Sequence, residues 1–290
     1  METESPREQA VCFLRHLRLG FQLAVAPAAY LLGVVFSARQ DVAQIAVQFV
    51  NVHVLLLGGA SAYNSFYDRD RGPVEGLRSP PRMRAWMRAA ALWLQGLGAI
   101  VAFLCNWLSG VIYLFSILGF SLAYSNPAVR LKGKPVGSLF VIGTFGALTP
   151  FALGFLASGG GGVRLEVLLA ALGIGLIVVA TFPLAQAHQI AEDQDRGDLT
   201  FTVRFGMRGV RRLFAVAFPA GTVLIAAAFA AASLPLAASV LLLGAISGWL
   251  MARPLGRLEG SLADYEELTR LKAASALCFN VFLLLLVLRK

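Results

Sequence analysis

Residues 43–73 read AQIAVQFVNVHVLLLGGASAYNSFYDRDRGP. From Ala43 to Tyr67 there is no Asp, Glu, Lys or Arg, whereas Asp68, Arg69, Asp70 and Arg71 are all charged. An uncharged, largely apolar run longer than about 20 residues can cross the hydrocarbon core of a bilayer as one helix. The charged tetrad then marks where that helix emerges into water. How often this pattern recurs decides the fold.

It recurs along the whole chain. Apolar runs lie at about 19–37, 43–66, 86–106, 108–125, 137–157, 165–187, 212–232, 234–252 and 270–288. The expected fold class is therefore all-α: a polytopic membrane bundle of about nine helices, with residues 1–290 forming one domain. Tight turns are expected near Asn106–Trp107 and near Ser233-Leu234-Pro235, and a flexible one at Gly159–Gly162. Composition agrees: 58% of the 290 residues are hydrophobic and only 14% charged, against about 25% charged in an ordinary soluble domain. Mean hydropathy is +0.71. The opening METESPREQA lacks the basic, apolar, small-residue order of a cleaved leader, so the first span is read as retained. Cys12, Cys105 and Cys278 are scattered without metal or redox spacing and read as packing residues.

Charge is one-sided. Arg39, Arg164, Arg289 and Lys290 fall on one face of the nine-span arrangement, and the other 21 of the 25 Lys and Arg fall on the opposite face. The positive-inside rule places the N-terminus and the loops after the even spans in the cytoplasm. The +9 net charge thus reads as a membrane surface facing lipid headgroups, not as a nucleic-acid footprint. An integral, multi-pass protein of a bacterial plasma membrane is expected.

Three cytoplasmic loops carry chemistry. After span two, Asn64 and Asp68 stand four apart, on one helical face. After span six, Gln189 and Asp193 repeat the spacing in Gln189-Ile190-Ala191-Glu192-Asp193-Gln194-Asp195-Arg196-Gly197-Asp198. Such oxygen donors suit Mg²⁺, which binds through a few carboxylates plus substrate phosphates. Two facing sets could hold the metal around one diphosphate. The loop after span four, Tyr124 to Pro135, supplies Arg130, Lys132 and Lys134 for phosphate oxygens that the metal leaves uncovered. Inside span two, Gln44, Gln48 and Asn51 form one polar stripe, and Asn51 is expected to line an acceptor pocket, with interhelical hydrogen bonding as the equal alternative. His53 and His188 read as a buried bonded histidine and a weak base or phosphate contact.

Together these loops resemble the UbiA superfamily of intramembrane prenyltransferases. The family's first motif is Asn-x-x-x-Asp-x-x-x-Asp. Asn64 and Asp68 match it; Gly72 departs from it, with Asp70 and Glu75 nearby. The second motif is Asp-x-x-x-Asp, where this chain has Gln189 and Asp193, with Glu192 alongside. The segment Gly197-Asp198-Leu199-Thr200-Phe201-Thr202-Val203-Arg204-Phe205-Gly206 is similar to the tail that follows, and Tyr124 to Lys132 is similar to a Tyr-Ser-x-Pro-x-x-Arg-Leu-Lys segment of some members. The resemblance implies a helical bundle around a central cavity open sideways to lipid. It implies Mg²⁺ as cofactor, and a prenyl diphosphate and a lipophilic, aromatic or polyprenyl acceptor as partners. Asp68 and Asp193 would then be metal ligands, with Asn64 and Gln189 coordinating through amide oxygens and Asp70, Glu192 and Asp195 next in rank. Arg78, Arg130, Lys132 and Arg204 would steady phosphate charge. Tyr67, Phe66 and Tyr124 lie near the phosphate end. A glycosyl-lipid transferase of the same superfamily and a transporter are the competing readings. The second is disfavoured because no Asp, Glu, Lys or Arg lies deep in a span.

Overall fold

The computed structural model describes residues 5–259 and 264–289. Met1 to Glu4 and Lys290, part of the terminal sequence read above, lie outside the described residues. The described residues form helices with no strand. The first helix, α1 (Pro6–His16), opens on a capping box: Ser5 accepts from the Glu8 amide and Glu8 accepts from the Ser5 amide. There follow α2 (Leu19–Ala24), α3 (Ala28–Phe36), α4 (Val42–Asp68), α5 (Ala85–Cys105) and α6 (Trp107–Ala123). Then come α7 (Pro135–Ala157), α8 (Leu165–Gln186), the short α9 (Ile190–Arg196), α10 (Phe201–Ala230), α11 (Leu234–Leu255) and α12 (Tyr265–Leu288).

The first expected span falls on two of these helices and each of the other eight on one, and they are not equivalent. Seven are long and apolar enough to cross a membrane singly. The first expected span is a pair: the helix through α2 and α3 meet at a 47° bend, where Pro27 cannot donate a backbone hydrogen bond. The fourth, α6, is a shorter apolar helix. The tight turn before it forms because the Asn106 side chain accepts from the Leu108 and Ser109 amides, satisfying donors that the helix start leaves unpaired.

Outer faces carry large apolar side chains, such as Trp93, Leu104 and Val216, each more than two-thirds exposed to the surroundings. They give the long apolar helices an apolar outer surface suited to contact with lipid. Inside, α3 and α7 come nearly into backbone contact: a Cβ on Gly154 would lie 2.2 Å from the Tyr30 carbonyl oxygen, and one on Gly33 2.0 Å from that of Phe151. Small residues permit such approaches where lipid gives no hydrophobic drive for association. Gly154→Leu should therefore lower stability by about 1–3 kcal/mol, read as a fall of several degrees in the melting temperature of the detergent-solubilised protein. An unchanged melt would show that the two helices are not in contact.

The last helix closes the ring onto the first pair. Asn280 Nδ2 donates to the Ala24 carbonyl at 2.9 Å, and Gln40 Nε2 to that of Val287 at 3.0 Å. Three stretches within the bundle widen into π-helical turns: Asn51–Gly58, Ile117–Ala123 and Ile142–Leu148. Leu57, Phe120 and Ile142, one from each, line a common interior cavity. π-turns often mark functional sites.

Candidate active site

Helix α4 ends at Asp68 because Arg69 takes a left-handed conformation (φ 52°). Asp68 is thereby held at the rim of the bundle, buried, while Asp70 turns back toward it. Asn64, one turn earlier, donates from Nδ2 to Asp68 Oδ2 at 2.7 Å and accepts from Ser125 Oγ at 3.0 Å. The first acidic loop is thus tied to the Tyr124-Ser125 segment of the third. Lys132 pairs directly with Asp68 Oδ2, and Arg130 Nη2 lies 3.6 Å from its Oδ1.

The second acidic loop arrives from the opposite side. α8 ends at Gln186, and a single tight turn, Ala187–Gln189, precedes α9. α9 stops at Gly197, which supplies the left-handed φ of 79°. Asp193 is buried on α9 and accepts from Arg196 Nη2 at 3.0 Å and from Thr200 Oγ1 at 3.3 Å. Asp198 takes a two-point bond from Arg130, Nε to Oδ1 at 2.6 Å and Nη2 to Oδ2 at 2.7 Å. The Leu199 amide donates to the Gly133 carbonyl at 3.0 Å, stitching the second loop to the third. Gly133 leaves room for this approach: a Cβ there would lie 2.7 Å from Asp198 Oδ1 and would push that carboxylate aside.

Both acidic loops meet at Arg196. Its Nη1 donates to the Asp68 carbonyl oxygen at 2.6 Å and to Asp70 Oδ1 at 3.1 Å, while Nη2 reaches Asp193. The side chains of Asp68, Asp70, Asp193 and Asp198 thus gather around Arg130, Lys132 and Arg196, leaving one negative charge in excess. Burial and the neighbouring Asp68 carboxylate push the Asp70 carboxyl up from the ordinary Asp range. The Asp198 hydrogen bonds raise Arg130 further above its usual value. Asp198→Asn, which removes half of that two-point pair, should weaken the packing of the third loop and cost about 2–4 kcal/mol, measurable as a lowered unfolding midpoint.

This cluster separates two spaces. On one side is a polar basin of about 920 Å³ lined by Asp68, Asp70, Arg71, Glu192, Asp195 and Arg196. On the bundle side is a cavity of about 290 Å³, with Asn64, Arg18, Glu75 and Lys272 at its polar end and Phe120, Tyr124, Phe182, Phe218 and Ile225 among its apolar walls. Glu75 and Lys272 form an ion pair there. Phe120 and Tyr124 stack with centroids 5.8 Å apart and planes within 8°.

Among the described residues no group of three or more His, Cys, Asp or Glu forms a ready metal cage. That is not the expected form of a Mg²⁺ site, which takes one or two carboxylates plus phosphates. The donors are hard oxygens throughout: Asp68, Asp70, Asp193 and the Asn64 amide. Asp68 Oδ1 is buried and accepts no hydrogen bond. The residues fit the ion.

Several expected site residues lie elsewhere. Arg78 is exposed and pairs with Glu266 of α12, because the Val74–Leu77 turn, with Gly76 at φ 78°, reverses the chain before it. Arg204 lies exposed in the first turn of α10. Asn51 is buried but donates to Gln48 Oε1 and to the Gly98 carbonyl, both at 2.9 Å, so it bonds α4 to α5 and does not line the cavity. Gln189 is the half-buried last residue of the turn before α9 and makes no side-chain bond to the helix start, so the Gln189–Asp193 pair does not share one continuous helical face. Glu192 accepts from the Arg71 and Gly72 amides at 2.7 and 3.3 Å and braces the first loop. His188 is bonded to the Pro73 carbonyl at 2.8 Å and His53 to that of Phe49 at 2.7 Å. Arg196, Asp198, Ser125 and Thr200 belong to the site although the sequence assigns none of them an individual role. The density of acids flanking a lone arginine in Glu192-Asp193-Gln194-Asp195-Arg196-Gly197-Asp198 was the available signal.

Comparison with known proteins bears on this geometry. A UbiA homolog from Archaeoglobus fulgidus bound to GPP and Mg²⁺ has a similar fold, with TM-score 0.69, 16% identity and coverage of 92% of this chain and 99% of that one. The same homolog bound to DMAPP and Mg²⁺ gives 0.68, again at 16% identity, over 92% and 98%. Digeranylgeranylglyceryl phosphate synthase gives 0.56 at 18% identity, over 97% and 98%. Among curated proteins none matches this sequence. The sequence model of the UbiA prenyltransferase family matches residues 24–262, and with that span of the chain accounted for, this protein belongs to the UbiA prenyltransferase family.

Proposed function

We propose that this protein transfers an isoprenyl group from a prenyl diphosphate to a lipophilic acceptor, aromatic or polyprenyl, within the membrane, using Mg²⁺. The whole chain, 1–290, acts as one membrane domain, in a bacterial plasma membrane with the N-terminus and motif loops cytoplasmic. One observation carries the reading: carboxylates from two loops, more than 100 residues apart in sequence, converge on one guanidinium, and Asn64, bonded to Asp68, lines the polar end of the adjoining apolar cavity. The related A. fulgidus protein binds GPP or DMAPP with Mg²⁺, which supports the same ligands here.

Asp68 and Asp193 would hold the metal, with Asn64 and Asp70 as further oxygen donors. Bound Mg²⁺ would neutralise the diphosphate and make it a better leaving group. Arg130 and Lys132, already placed at Asp68, would hold the phosphate oxygens as charge builds on them. The prenyl chain would lie in the apolar cavity, where Phe120 and Tyr124 in the lining would stabilise developing allylic positive charge and the apolar walls would exclude water. A sugar donor would call for polar walls, so the cavity favours the prenyl reading over the glycosyl one.

The test is transfer of radiolabelled prenyl diphosphate on membranes containing the protein, with Mg²⁺ and a panel of lipid-soluble acceptors. Labelled product that vanishes on chelation is expected; no transfer to any aromatic or polyprenyl acceptor contradicts the proposal. Orientation has a separate test. A reporter fused after Arg212 should read cytoplasmic and one at Gly160 should not; the reverse overturns the topology.

A further inference from the structure

Arg130 and Arg196 use their guanidinium groups differently. Arg130 spends its fork on one carboxylate, Asp198, in a two-point bond. Arg196 spreads over several partners, with single bonds to the Asp68 carbonyl, Asp70 and Asp193. Its Nε lies 3.2 Å from Asp198 Oδ2 without making a hydrogen bond. A two-point pair must break as a unit, whereas single bonds exchange one at a time. Arg196 is also the last residue of α9, next to the left-handed Gly197, and it lines the polar basin of about 920 Å³. It therefore has open space to swing into. Asp68 Oδ1, 4.0 Å from its Nη1, still lacks a hydrogen bond.

We infer that Arg196 is a displaceable internal counter-cation. It holds the two acidic loops in register and gives up their carboxylates to Mg²⁺ as the metal and diphosphate enter. The inference rests on the Mg²⁺ reading above and adds to it a competitor built into the site. Two consequences follow. Without the guanidinium, four clustered carboxylates would be balanced by Arg130 and Lys132 alone, and the loops would repel each other. Metal binding would then displace nothing, so apparent Mg²⁺ affinity would rise in proportion to the competition removed.

The experiment is thermal melting of the full-length protein in detergent, followed by tryptophan fluorescence. The protein is stripped with EDTA and then titrated with Mg²⁺, alone or with inorganic pyrophosphate. Arg196→Gln should melt several degrees below wild type in EDTA. It should recover on Mg²⁺ alone, at a half-maximal concentration about tenfold lower than wild type requires. Arg196→Lys keeps the charge but loses the fork; it should shift in the same direction by less, and it serves if the glutamine variant does not fold. Equal melting in EDTA with equal Mg²⁺ midpoints would overturn the counter-cation role while leaving Mg²⁺ binding intact. If no protein responds to Mg²⁺, with or without pyrophosphate, the metal reading itself fails and the inference falls with it.

Discussion

Asp68→Asn is expected to lower prenyl transfer at least about 1,000-fold, roughly 4 kcal/mol of transition-state stabilisation, with Asp193→Asn close behind. The amide keeps the shape of the side chain but removes the charge that a hard divalent cation requires. Asparagine is the informative choice at both positions. Alanine at Asp68 would leave a void and take away the oxygen that accepts from Asn64 and faces Lys132, whereas asparagine keeps a side-chain oxygen there. Asp193 is held by Thr200 and Arg196, so its asparagine variant should also fold. The check is the radiolabelled transfer assay on membranes carrying equal amounts of inserted protein. Transfer within tenfold of wild type in both variants would remove these carboxylates from the chemistry.

The second large effect concerns the cavity. Gly146 lines it from the π-helical stretch of α7, and a Cβ there would meet nothing closer than 3.7 Å. Gly146→Phe therefore fills the cavity without colliding with the backbone. A ring in that space displaces about one isoprene unit of a long donor. At about 0.8 kcal/mol per buried carbon, displacing the five carbons of that unit costs about 4 kcal/mol, or ~1,000-fold in kcat/KM. A donor short enough to stop before the ring should lose little. The ratio of kcat/KM for geranylgeranyl diphosphate over dimethylallyl diphosphate should fall by about that factor. An unchanged ratio would place the prenyl chain somewhere else.

The bundle was legible because membrane helices declare themselves by length. The uncharged run from Ala43 to Tyr67 and the charges at Asp68–Arg71 fix both a span and its end. The capped turn at Asn106 also follows from local chemistry. What the sequence left unread is long-range. Asn51 lies on a polar stripe, but a stripe shows only that the residues share a face, not which neighbour that face meets; here it meets α5 at Gly98. The widening of α4 from Asn51 to Gly58 further shifts the register of everything beyond it. Arg78 sits only ten residues from Asp68, yet a turn at Val74–Leu77 carries it to Glu266, far along the chain. Arg196 was hidden for the opposite reason. Its acidic neighbours in sequence, Asp193 and Asp198, look like an ordinary solvated run, and its distant partners Asp68 and Asp70 appear only once α4 and α9 meet.

If the two acidic loops act on one diphosphate through a shared metal, an experimental structure of the protein with Mg²⁺ and an uncleavable prenyl thiodiphosphate should show it. Mg²⁺ density is expected to touch both Asp68 and Asp193, with the diphosphate between the two loops and the prenyl chain running past Phe120 and Tyr124 into the apolar cavity. Ligand density away from those loops, with either aspartate remote from the metal, would contradict it.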